Sequence, residues 1–182
     1  WCVSGLNGKA PKSRALSREL PVIPGRSGKT AKTFIQYDDF VHAVRYLRDK
    51  RILLDDACLY LYNYGEPFLH PQFSEIIEFL HTQNIRFGLS TNASAPIYFK
   101  HPSIMRNLDG IIFSMPGWSQ NSYDKIHGFK FEKIKHNIVT MVENYRNCGF
   151  TGEARIAFHV YQFNMDELPE ALAFARQHQM MV

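Results

Sequence analysis

"LYNYGEPFLHPQFSEIIEFL", Leu61–Leu80, changes its periodicity within a few residues. A run of strand formers, Cys58 to Tyr64, stops at Gly65-Glu66-Pro67. After a short apolar turn, Phe73, Ile76, Ile77 and Leu80 recur at helical spacing. Strand, tight polar turn, helix is the repeating unit of a parallel α/β sheet. The turn places a carboxylate between the residue that bends most freely and the one that bends least. Taken alone, it suits a helix-start turn with a solvated Glu as well as a binding loop.

Working outward, the same alternation continues. A helix over about Tyr37–Lys50 puts Phe40, Val41, Val44 and Leu47 on one face, with Asp38 and Asp39 near its positive end. The strand at 58–64 and the helix at 73–83 follow. Next come a strand at 86–91, a short Pro-broken helical region near 103–108, and a strand at 109–115. A longer helix at 132–146 is closed by Asn147, Cys148 and Gly149. A strand at 153–162 and a helix at 166–178 complete the series. Strand–helix alternation with short connections predicts an α/β fold, a partial (β/α) TIM-like barrel, because four strands are too few for eight-fold closure. The chain reads as a single unit over 1–182, with a long loop over 1–33 and β/α repeats over 34–182.

Composition narrows the function classes. With 45% hydrophobic residues in 182, the chain can bury one core. A formal charge of +4 suits an anionic ligand, and equally suits half-solvated Lys and Arg. No apolar run is long enough for a membrane span. Three scattered cysteines, Cys2, Cys58 and Cys148, do not make a disulfide framework, which points to a reducing cytoplasm. "GRSGKT" (Gly25–Thr30) is like the end of a phosphate-binding loop, but Ile23 stands where that pattern needs Gly. The eight histidines include no H-E-x-x-H and no zinc-site pairing with Cys. Tyr60, Tyr62, Phe113 and Phe158 lie inside strands and read as core rather than as a base-stacking surface, so no nucleic acid is expected.

Ligands of parallel α/β folds gather at the carboxyl ends of the strands. Those ends read Asn63-Tyr64-Gly65-Glu66-Pro67, Ser90-Thr91-Asn92, Ser114-Met115-Pro116-Gly117 and Gln162-Phe163-Asn164. Each is small or polar after an apolar stem. Any one suits turn chemistry; four on one rim form a polar site on an apolar floor.

These residues carry a resemblance. Gly65-Glu66-Pro67 before "FLHPQFSEII", then "STNAS", "DGIIFSMPG" and "SYDKIHGFKFEKIKHNI", resemble the radical S-adenosylmethionine (SAM) enzymes, especially those with a C-terminal cluster-binding (SPASM-like) extension. That family carries a C-x-x-x-C-x-x-C loop after its first strand, usually with an aromatic residue before the third cysteine. Trp1-Cys2 fits the end of that loop, so a first strand and two cysteines are expected before Trp1 and a further strand after Val182. The resemblance departs from the pattern at Tyr64, where the family commonly has a second glycine, and at His127, where relatives commonly have Arg.

The resemblance implies two cofactors, a 4Fe-4S cluster and SAM. It makes Cys2 a metal ligand and places Trp1 beside the cluster. Gly65, Glu66 and Pro67 would face SAM's amino group, where a carboxylate suits an ammonium. Thr91, Asn92 and Ser114 would contact its ribose or carboxylate, and Asn164 would lie near its adenosine. The implied reaction is reductive cleavage of SAM to a 5′-deoxyadenosyl radical that takes hydrogen from a substrate. An electron donor such as flavodoxin or ferredoxin is implied as a partner. The substrate is left open among a peptide, a cofactor precursor and a small metabolite. The rival reading is a non-catalytic α/β module acting as a binding or assembly partner; an intact three-cysteine motif separates the two. A phosphate-binding barrel enzyme would need a Gly-rich loop at a late strand, and none is seen.

Overall fold

The chain returns to its sheet four times, and four of its five helices end the same way. The computed structural model describes residues 34–62 and 65–182. Trp1, Cys2, the Ser4–Thr33 loop, Asn63 and Tyr64 lie outside the described residues, as do the expectations attached to them. The helices are α1 (Tyr37–Asp49), α2 (Phe73–Thr82), α3 (Gln120–Asp124), α4 (Phe131–Asn147) and α5 (Leu168–Gln177). Just past α1, α2, α4 and α5 sits a residue of positive φ: Arg51, Asn84, Gly149 and Gln179. After each of these four helices, the next N–H reaches back to close the last turn, as in Ile52 to Leu47 O at 2.8 Å, Ile85 to Leu80 O at 2.9 Å and Met180 to Ala175 O at 2.8 Å. Only at 149 is the left-handed position held by the residue that takes it without a Cβ clash.

The strands β1 (Cys58–Tyr60), β2 (Arg86–Thr91), β3 (Leu108–Met115) and β4 (Glu153–Phe158) form one parallel sheet in sequential order. Right-handed crossovers in that order put every connecting helix on one face, which is the wall of a (β/α) barrel. The fold is therefore the expected partial barrel. Met181 pairs with Arg155 beyond β4, so the chain after α5 takes up a fifth parallel position.

Side-chain alternation sorts the two faces. Phe87, Leu89, Ile111, Phe113, Met115 and Ile156 have no exposure and pack under the helices. From α2 they meet Phe73, Ile76, Ile77 and Leu80, and from α4 Ile134, Ile138, Met141 and Tyr145. The other face carries Tyr60, Arg86, Gly88, Ser90, Gly110, Ile112, Ser114, Glu153 and Arg155 in register. No described helix covers it, and it holds a shallow cavity of about 200 Å³ between Tyr60, Ile112 and Arg155. The Tyr60 ring lies across Gly88, where a Cβ would come within 2.6 Å of it.

Several boundaries move from the sequence reading. The region near 103–108 is a series of turns, not a helix; its amides bond three residues back, as in Arg106 to Ser103 O, and Met105 N bonds to Cys148 O instead. The first and last strands are shorter than 58–64 and 153–162. Leu61 N still bonds to Gly88 O, and His159 N to Met115 O, before each chain turns away. Three short elements are new: 3-10 turns at Pro67–Leu69 and Met165–Glu167, and α3. No helix among the described residues is long and apolar enough to cross a membrane.

Candidate functional site

The rim at the carboxyl ends of the strands is built around one buried carboxylate, Glu66. Glu66 follows β1 and begins the 3-10 turn, with Pro67 at the first turn position. The residue is 5% exposed. Oε1 accepts from the Thr91 hydroxyl at 2.7 Å and the Phe68 N–H at 3.4 Å, and Oε2 accepts from the Asn92 N–H at 2.8 Å. The Gly-Glu-Pro turn is thereby tied to the end of β2. The Thr91 oxygen also accepts the Ala93 N–H at 3.0 Å, and Asn92 Oδ1 accepts the Ser94 N–H at 2.9 Å. Ala93, fully buried, sits at φ 58°, and its carbonyl takes a bond from Asn137 of α4 at 2.8 Å. A left-handed alanine costs roughly 1–2 kcal/mol, so the surrounding bonds over-determine this loop.

Three neutral donors do not replace the water a carboxylate loses. Burial pushes the Glu66 carboxyl above the ordinary carboxylate range, against the opposing pull of the Asn92, Thr91 and Phe68 donors. Among the described residues no Lys, Arg or His forms an ion pair with it. Oε2 has one bond and keeps a lone pair. A buried anion with donors but no cation is chemically suited to an ammonium ligand.

Across the sheet, Ser114 ends β3 on the open face, half-buried, with its hydroxyl 3.4 Å from His159 Nε2. His127 lies buried nearby, and burial together with His159 holds its imidazole below the usual range. Partial desolvation likewise lowers His159, although the residue as a whole is exposed. Asn164 has no exposure; both amide hydrogens go to backbone carbonyls, Pro116 O at 2.8 Å and His159 O at 3.0 Å. Its Oδ1 accepts the Tyr161 N–H at 2.7 Å.

Of the residues singled out from sequence, Glu66, Thr91 and Asn92 meet directly, and Asn164 meets the loop after Ser114. Gly65 is exposed beside Glu66, with open space around its Cα. Thr91, Asn92 and Asn164 spend their described side-chain bonds on the protein itself, whereas Ser114 faces the open side. Trp1 and Cys2 lie outside the described residues; among those described, no three His, Cys, Asp or Glu side chains gather as a metal site. Cys58 is half-buried at the sheet edge, and Cys148 is buried where α4 ends. Sequence reasoning missed Glu167, which accepts from Trp118 N at 2.6 Å, Ser119 Oγ at 2.5 Å and Ser122 Oγ at 2.6 Å. Its partners lie more than 40 residues away, and no local pattern signals them.

Solved structures of this architecture include SuiB from Streptococcus suis, with a TM-score of 0.52 at 14% identity over 76% of this chain. SuiB bound to S-adenosylmethionine gives 0.51 at 15% identity over 76%. TYW1 with a lysine-pyruvate adduct bound gives 0.51 at 15% identity over 78%. The chain has their fold. It spans 48% of the TYW1 chain and 31% of the SuiB chain. No family model matches the sequence, and no curated protein matches it.

Proposed function

We propose that this chain forms the core of a radical SAM enzyme. The observation that carries the reading is Glu66: a buried carboxylate with three neutral donors and no cationic partner among the described residues, at the end of a parallel strand. Its free lone pair would take SAM's ammonium. Gly65, exposed and without a side chain, would let the ligand approach the backbone, and Pro67 fixes the turn that aims the carboxylate. The fold shared with SuiB, solved with SAM bound, supports the same rim as the ligand's place.

In this reading Ser114 offers a hydroxyl from the open face to SAM's ribose or carboxylate. Thr91, Asn92 and Asn164 act mainly by holding the loops that present Glu66 and Ser114. Cys2 would be one thiolate ligand to a 4Fe-4S cluster, with Trp1 beside it. When bound, the cluster supplies the electron for reductive cleavage of SAM to methionine and a 5′-deoxyadenosyl radical, which takes hydrogen from the substrate. An electron donor of the flavodoxin or ferredoxin kind would reduce it. The residues described here bind, orient and exclude water; the substrate is a peptide, a cofactor precursor or a small metabolite.

The test is a calorimetric titration of SAM into the anaerobically prepared protein. Binding that weakens in Glu66→Gln supports the proposal. Absence of SAM binding by the folded protein would overturn it.

A further inference from the structure

We propose that Asn164 and Glu167 form a single clamp joining the loop after β3 to the loop after β4, and that this clamp positions Ser114 and His159 on the open face. Both side chains come from one turn. The Glu167 N–H bonds to Asn164 O at 3.1 Å, which fixes their spacing. From that turn, Asn164 reaches Pro116 O and Glu167 reaches Trp118, Ser119 and Ser122. Asn164 also holds both sides of the bend that ends the strand, through His159 O and Tyr161 N. His159 is thus anchored by its carbonyl to Asn164, by its N–H to Met115 O at 2.8 Å, and by its ring to Ser114.

Helix capping alone does not explain Glu167. α3 already has a capping box of its own: the Ser119 hydroxyl accepts the Ser122 N–H, and Ser122 returns a bond to Ser119. A five-residue helix needs no second cap from 45 residues away. What Glu167 adds is a connection between loops. Burial raises its carboxyl, but the Ser119, Ser122 and Trp118 donors outweigh this and hold it below the usual range, so it stays the acceptor all three require. With Glu66 tying the loops after β1 and β2, the rim becomes two stapled pairs with Ser90 and Ser114 on facing edges.

The effect on binding rests on the SAM reading above; the clamp itself does not. Amide hydrogen exchange in Asn164→Ala and Glu167→Gln tests it without a ligand. Asn164 makes no bond to Trp118, yet Asn164→Ala should speed exchange at the Trp118 amide roughly tenfold, as for loss of one hydrogen bond. Glu167→Gln should do the same at the Tyr161 amide, which it does not touch. Effects confined to each residue's own partners would overturn the clamp. If Asn164→Ala does not fold, Glu167→Gln decides through Tyr161. SAM affinity should fall several-fold in both variants and non-additively in the double variant. Cross-loop exchange without any SAM binding would retain the clamp and refute the ligand reading; unchanged affinity in both variants would refute the positioning role.

Discussion

Replacing Glu66 by Gln removes a charge and little else. With its amide nitrogen in the Oε1 position, Gln can still accept the Asn92 N–H through its carbonyl. It can also donate to the Thr91 hydroxyl, which already accepts from Ala93 and has a second lone pair. What is lost is the 3.4 Å bond from Phe68, the weakest of the three, and the acceptor of the Thr91 hydroxyl hydrogen. The stability cost should be about 0.5–1.5 kcal/mol, partly offset because a buried charge disappears. Ligand binding should respond more. A charge-assisted bond to an ammonium contributes about 1.5–3 kcal/mol, so SAM should bind roughly ten- to a hundredfold more weakly. pH separates the effects further. Folding raises the Glu66 pKa, so its ionisation opposes folding: this part of the stability is fully present below the unfolded value and is lost as pH rises through the folded one. An ammonium ligand favours the ionised form, so affinity should climb with pH through the same window and then level off, while Glu66→Gln shows no climb. Anaerobic titrations from pH 5 to 8 read this directly. Equal affinities for wild type and Glu66→Gln, with the same pH profile, would refute the reasoning and leave Glu66 as a loop tie alone.

Other substitutions probe the rim and its support. Ser114→Ala should leave the melting temperature almost unchanged, because its one described side-chain bond is long and exposed, and should weaken SAM binding by about 1 kcal/mol; calorimetry and a thermal melt on the same sample check both. Gly88→Ala should push the exposed Tyr60 ring off β2 and cost about 1 kcal/mol; adding Tyr60→Ala should recover most of the loss in denaturant unfolding. Tyr123→Phe should stabilise the chain by about 1–3 kcal/mol, because the Tyr123 hydroxyl is buried without a partner among the described residues; a lower melting temperature would mean that hydroxyl is bonded in solution.

Much of the fold was readable because the helices are strongly amphipathic. α2 and α4 fall within one residue of their expected ends, since Phe73, Ile76, Ile77 and Leu80, then Ile134, Ile138, Met141 and Tyr145, leave little choice of face. The strand tails are shorter than their composition predicts. Tyr62 and Tyr161 favour strands, but pairing needs a neighbour, and Asn164 bends the second tail away. α3 has too few residues to show a period. Its Ser119–Ser122 capping box is the one local signal of its start. For the site, position was legible and partnership was not. Gly-Glu-Pro at a strand end marked Glu66 as special, yet its bonds to Thr91 and Asn92 span about 25 residues, and those of Glu167 span nearly twice that. Such contacts are created by strand order, which periodicity alone does not encode.

The central claim is tested most directly by product analysis. The whole protein is reconstituted with iron and sulfide without oxygen, reduced, and supplied with SAM. The account predicts a broad brown absorbance and formation of 5′-deoxyadenosine and methionine, both largely lost in Cys2→Ala. Intact SAM after reduction, or iron and sulfide contents unchanged by Cys2→Ala, would contradict it.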